Sequence, residues 1–88
     1  MVGWEIVFSR QAVKDSKKVA DAGLKPKVEA ILRVLQKDPF SPSHSFEKLV
    51  GKLAGYYSRR INIQHRLVYQ ILQEIKAVKV VRMWTHYE

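Results

Sequence analysis

Arg66-Leu67-Val68-Tyr69-Gln70-Ile71-Leu72 and Ala77-Val78-Lys79-Val80-Val81-Arg82-Met83-Trp84 are the two runs that decide the fold. Both are dense in β-branched and aromatic residues, and the polar Gln73-Glu74 separates them, so they read as strands of a meander. Upstream, Tyr56 to Ile63 alternates around Tyr57, Arg59, Ile61 and Ile63, which gives another strand between Gly55 and a turn near Gln64. Phe46 to Leu53 has room for one more short strand. Phe40 to Ser45, next to Pro39 and containing Pro42 and three serines, is a loop.

The period changes in the first half. Val2 to Phe8 alternates Trp4, Ile6 and Phe8 with polar or smaller residues and reads as a first strand, after which Ser9 is a helix N-cap. Over Arg10 to Ala22, the apolar Ala12, Val13, Val19 and Ala20 fall on one side of a helical wheel, and Gly23 stops the helix. Leu24, Val28, Ile31, Leu32 and Leu35 form a second apolar stripe, with Pro26 in the first turn and Asp38-Pro39 at the end. Two antiparallel helices with apolar stripes need a floor. The expected fold is therefore α+β, with both helices packed on one face of a mostly antiparallel sheet of four to five strands and the other face open.

At 88 residues the chain has room for one domain, spanning 1–88. It has no cysteine and three scattered histidines, so thiolate chemistry is excluded and the expectation is a protein with no metal and no cofactor. Met1-Val2-Gly3-Trp4-Glu5 lacks the layout of a signal peptide, and no run reaches the roughly 20 apolar residues of a membrane span. A cytoplasmic protein with no membrane partner is expected. The 16 Lys and Arg residues outnumber the 8 Asp and Glu, giving a net charge of +8 that favours a polyanion such as RNA. Residues 39–88 hold eight basic and three acidic side chains, against eight and five in residues 1–38, so the strand half is the more biased.

Glu47, His65, Arg66 and His86 are far apart in sequence, but a meander can bring them to one open face. Period-two geometry puts Ser58 and Arg60 on one side and Tyr57, Arg59 and Ile61 on the other, so one of the adjacent arginines must face away from the helices.

The run Leu53-Ala54-Gly55-Tyr56-Tyr57-Ser58-Arg59-Arg60-Ile61, then His65-Arg66-Leu67-Val68-Tyr69, then His86-Tyr87, strongly resembles the YoeB/Txe toxins of bacterial toxin–antitoxin modules, in the RelE/ParE superfamily. Asp38-Pro39-Phe40 and Glu47 extend the likeness over nearly the whole chain, while Tyr56-Tyr57 stands where the best-known member has Phe-Trp and Glu88 follows the His-Tyr ending. The resemblance implies a ribosome-dependent endoribonuclease that cuts mRNA in the ribosomal A site. Its implied partners are a cognate YefM-like antitoxin, the bacterial ribosome and mRNA; whether it pairs with a second copy of itself is left open. It further implies Glu47 as general base, Arg66 as the arginine stabilising the transition state, His86 as general acid and Tyr87 beside it. Lys48, Lys52, Arg59, Arg60 and His65 would be the supporting RNA-binding residues.

These residue types suit RNA cleavage without a metal, because the substrate brings its own nucleophile in the 2′-hydroxyl. A base takes that proton, a guanidinium binds the charge developing on the phosphate, and an acid protonates the leaving 5′-oxygen. A carboxylate of ordinary pKa near 4.3 is a weak base at neutral pH, so the residues alone leave open which of Glu47 and His86 takes the proton. The alternatives are a ParE-like gyrase-inhibiting toxin, which needs neither group, and a catalytically inactive RNA-binding homologue. Taken singly, Glu47 is an ordinary strand-edge carboxylate, and Trp4, Trp84, Phe8, Phe40 and Tyr69 are core or interface residues. Tyr56, Tyr57 and Tyr87 are better placed for stacking on bases, and His44 has no assigned role.

Overall fold

The computed structural model of the chain describes residues 3–43 and 45–86, with side chains through Trp84. Strand β1 (Glu5–Phe8) leads into helices α1 (Arg10–Asp21) and α2 (Lys25–Lys37). Next come β2 (Glu47–Lys48), a single turn of 3-10 helix at Gly51–Leu53, β3 (Tyr56–Arg60), β4 (His65–Leu72), a second such turn at Gln73–Ile75, and β5 (Ala77–His86). The five strands form one sheet in the order β1-β5-β4-β3-β2, with β1 parallel to β5 and the other neighbours antiparallel. The expected two-layer α+β architecture is what the chain adopts. Among the described residues no helix is long and apolar enough to cross a membrane.

Local chemistry sets the helix ends. The Ser9 hydroxyl accepts from the Ala12 N–H at 3.0 Å, satisfying one donor that the first turn leaves without a helical partner. At the far end Gly23 has φ +74°, and the Leu24 and Gly23 amides donate back to the carbonyls of Val19 and Ala20. This is a Schellman closure, which favours glycine because a side chain is strained at positive φ. Pro26 lies in the first turn of α2, where its missing N–H costs no helical bond. Gly3 has a different reason: a Cβ there would lie 2.2 Å from the Gln36 carbonyl oxygen, which also accepts from the Trp4 amide at 2.7 Å.

Val28, Ile31 and Leu35 of α2 pack with Ala12 and Val19 of α1 onto Leu67, Tyr69, Val78, Val80 and Met83, all nearly or fully buried. On α1 the expected stripe is corrected. Val13 is 52% exposed and Ala20 is also exposed, while Asp15, at the buried spacing of Ala12 and Val19, is completely enclosed. Two strand expectations also shorten. The Phe46–Leu53 strand contracts to Glu47–Lys48 because Val50 to Ala54 turns through Gly51 at φ +69°. The Tyr56–Ile63 strand ends at Arg60, where Asn62 organises the hairpin by accepting the Gln64 and His65 amides on its side-chain oxygen.

Strand β5 is irregular where it passes β4. Tyr69 pairs with Val80, Val68 with Arg82 and Arg66 with Thr85, so β5 takes an extra residue on each side of Val68. Such bulges bend a strand and re-aim the residues beyond them. The outer edge of β5 changes cover at the same place. As far as Val80 it is paired with β1; beyond that, α1 lies along it.

Candidate active site

Register decides which side chains meet. Glu47 pairs with Ser58, Ser58 with Val68, and Arg60 with Arg66, so Glu47, Ser58, Arg60, Arg66 and Val68 share the sheet face away from the helices. On that face Arg66 Nη1 lies 3.9 Å from Glu47 Oε1 and donates to Ser58 Oγ at 3.4 Å. The Arg66 side chain is 14% exposed and that of Glu47 52%, so the guanidinium is largely shielded while the carboxylate stands in solvent. A contact this long and this wet contributes little to stability, roughly 0–1 kcal/mol. Its chemical value is the pairing of a proton acceptor with a planar cation able to hold a phosphate by two hydrogen bonds.

The end of β5 runs beside this pair. In the ladder Thr85 lies opposite Arg66 and His86 opposite His65, so the backbone carrying His86 is one residue along from the Arg66 register position. The His86 side chain and all of Tyr87 lie outside the described residues, as does His44.

The residues expected to support RNA binding divide. Arg60 is exposed and occupies the open-face position beside Arg66. Lys52 is exposed on the 3-10 turn, and Lys48 is exposed but paired with Tyr57, hence at a register position facing opposite to Glu47. Arg59 is corrected: it is fully buried on the helix side. Its Nε donates to the Tyr69 hydroxyl at 3.0 Å, Nη2 to the Pro39 carbonyl at 2.8 Å and Nη1 to the Ser43 carbonyl. The guanidinium also lies over the Phe46 ring, 4.6 Å from its centroid, and in turn the Tyr69 hydroxyl donates to the Pro39 carbonyl at 3.1 Å. Arg59 therefore ties the loop before β2 to the sheet and has no surface left for a phosphate. His65 is corrected likewise, being 4% exposed and stacked on Trp84 with ring centroids 3.9 Å apart.

Tyr57, expected as a stacking platform for bases, is instead stacked between Phe46 and Tyr69 at centroid distances of 5.5 and 5.9 Å. Trp4 and Phe40 continue this aromatic row edge to face. Burial pushes the Tyr69 phenol up to about 12, more than the nearby Arg59 charge and hydrogen bond pull it down.

Two buried polar residues escaped the sequence reading. Ser58, 2% exposed, sits in register with Glu47 and reaches Arg66, but a single serine in a strand carries no signal. Asp15 did leave one, an acidic residue at the i, i+3 and i+4 spacing of buried apolar positions. Burial pushes its carboxyl up, but hydrogen bonds from the Met83 amide, Gln11 and Arg82, with the Arg82 charge, outweigh that and hold it below the usual value.

Comparison with known proteins places the chain in a group. Residues 8–87 match the family model described as YoeB-like toxin of bacterial type II toxin–antitoxin system. The toxin YoeB of Mycobacterium bovis is 43% identical over 51 residues, which make up 58% of this chain and 60% of that protein. The chain thus aligns with less than two thirds of that relative's length. A solved YoeB/ParE toxin from Agrobacterium tumefaciens superposes with a TM-score of 0.85 at 29% identity, over 94% of this chain and 99% of that one. YoeB of Staphylococcus aureus, solved as a dimer, gives 0.81 at 34% identity over 96% and 98% of the two chains. The same toxin has also been solved in a YoeB–YefM complex.

Proposed function

Since this chain belongs to the YoeB-like toxins of bacterial type II toxin–antitoxin systems, we propose that it is a metal-independent endoribonuclease that cuts mRNA in the ribosomal A site. The observation that carries the reading is the Glu47–Arg66 pair at 3.9 Å on the open sheet face, with the β5 backbone bearing His86 alongside.

In this reading Glu47 takes the proton of a 2′-hydroxyl as that oxygen attacks the adjacent phosphorus. Arg66 holds the charge growing on the non-bridging oxygens, and His86 gives a proton to the departing 5′-oxygen while Tyr87 lies beside it. The bond formed is 2′-O to phosphorus and the bond broken is phosphorus to 5′-O, leaving a 2′,3′-cyclic phosphate and a 5′-hydroxyl. Arg60, exposed beside Arg66 on the open face, supplies a phosphate contact that fixes position without reading sequence, and the exposed Lys48 and Lys52 add positive charge away from the pair. The natural inhibitor is a YefM-like antitoxin, as in the Staphylococcus aureus complex, and self-pairing as in that toxin's dimer is compatible with the fold.

The test is cleavage of a translated mRNA on purified bacterial ribosomes. Wild type is expected to cut, with each of Glu47→Ala, Arg66→Ala and His86→Ala losing roughly 10²-fold or more in rate. A 2′-deoxy nucleotide at the cut site should abolish the reaction and spare binding. Cutting of the deoxy substrate, or full activity in all three variants, would refute the reading.

A further inference from the structure

We propose that Asp15 is a positioning residue for this cleavage, holding the end of β5 and through it His86; the inference rests on the ribonuclease reading above. Asp15 is on α1, on the covered side of the sheet, and is fully buried. Burying a carboxylate is costly unless donors surround it, and here they do. Oδ2 accepts from the Met83 amide at 2.9 Å, the Trp84 amide at 3.3 Å and Arg82 Nε at 3.0 Å. Oδ1 accepts from Gln11 Nε2 at 2.9 Å.

Three of those four donors belong to consecutive residues of β5, just past its pairing with β1. There the strand presents edge N–H and C=O groups with no neighbouring strand to take them, and buried backbone groups need partners. Helix α1 supplies them. Ser9 donates through its hydroxyl to the Val81 carbonyl at 2.9 Å, and Asp15 accepts the amides of Met83 and Trp84. A serine hydroxyl and a carboxylate thus replace the missing strand along the bulged stretch. The last residue they hold, Trp84, stacks on His65, and His86 pairs with His65 two residues further on. The bulges give this stretch freedom to bend, and Asp15 removes it.

Asparagine has the shape of aspartate but no charge to hold Arg82 and one acceptor oxygen in place of two, so its NH2 confronts either Gln11 or the three β5 donors. The measurement is single-turnover cleavage of ribosome-bound mRNA, read as maximal rate and as the concentration giving half-saturation. Asp15→Asn is expected to lower the maximal rate about tenfold or more, because small displacements of a reacting group are expensive, and to leave half-saturation unchanged. In a His86→Ala background the same substitution should cost less than about twofold, since a residue acting through another adds nothing once that one is gone. Equal losses in both backgrounds, or wild-type rates in a folded Asp15→Asn protein, overturn the inference. If that variant does not fold, Arg82→Ala removes one donor and leaves the carboxylate in place. It should show a smaller loss of rate with the same dependence on His86, and an additive loss overturns the inference.

Amide hydrogen exchange at residues 83–86 separates this inference from the reading beneath it. Asp15→Asn, or Arg82→Ala in its place, should speed exchange there while residues 28–35 of α2 stay protected. Unchanged exchange at 83–86 overturns the inference whether or not the wild type cuts RNA, whereas a wild type that fails to cut overturns the ribonuclease reading.

Discussion

Two arginines on neighbouring strands, Arg59 and Arg66, occupy opposite faces of the sheet and live under opposite rules. Arg59 is fully buried and satisfied by fixed groups of its own chain: two carbonyls, a tyrosine hydroxyl and an aromatic face. Arg66, with 14% of its side chain exposed on the open face, has a distant carboxylate and a long bond to a serine hydroxyl among its contacts. The first arrangement is tight and directional and leaves little to gain by binding anything else. The second sets a cation at the edge of solvent against a carboxylate it holds only loosely, a contact that a phosphate can replace at small cost. Burial with neutral acceptors makes a guanidinium structural, and partial exposure with weak partners suits one to a ligand.

Substitutions at the two positions test this contrast from opposite ends. The largest expected effect is on stability: Arg59→Ala removes a fully buried guanidinium together with its bonds to the Pro39 and Ser43 carbonyls and the Tyr69 hydroxyl, and should cost roughly 3–5 kcal/mol. For a domain of this size that is a fall in Tm of about 15 °C or more, seen by calorimetry. A loss under about 5 °C would erase the distinction. Arg66→Ala should show the reverse, with Tm nearly unchanged and cleavage on ribosomes lower by roughly 10²–10³-fold.

Titration sharpens the structural side. The Tyr69 phenol has its folded value raised to about 12 from an ordinary 10.0. Its contribution is therefore fully present below pH 10 and is lost as pH climbs from 10 toward 12, an effect of order 3 kcal/mol. Absorbance of tyrosinate should report one of the four tyrosines ionising only together with unfolding. Asp15 acts at the other limit. Its folded value is depressed, so its contribution is present above the unfolded carboxylate value and is lost as pH falls through the lower folded one. In denaturant melts the stability gap between wild type and Asp15→Asn should accordingly be widest above the ordinary carboxylate range and narrow as pH falls through the lower folded value. The smallest effect belongs to Arg60, exposed and beside Arg66. Arg60→Ala should weaken ribosome binding modestly and uniformly across codons and flatten the salt dependence by about one unit.

Much of this was legible in the chain. The stripe Val28, Ile31 and Leu35, the Ser9 cap, the Gly23 stop and the β-rich runs of β4 and β5 are local patterns, and each lies where the sequence puts it. Glu47 and Arg66 were singled out by resemblance, and their meeting depends on the register of three strands. Alternation required Arg59 and Arg60 to diverge, but the choice between them rests on the Pro39 carbonyl, 20 residues upstream. Val13 leaves the covered side on which its stripe put it, and Asp15 is enclosed because donors on β5 wait at its position.

By itself the sequence determined the element types, most of their ends, the two-layer plan and the excess of positive charge, since periodicity, capping and composition act over a few neighbouring residues. Only the tertiary structure decided which arginine is buried, that Tyr57 and His65 belong to internal stacks, and that a carboxylate on α1 secures the last strand. Those outcomes depend on hydrogen-bond partners supplied from remote segments, and a buried polar group is stable only where such partners converge.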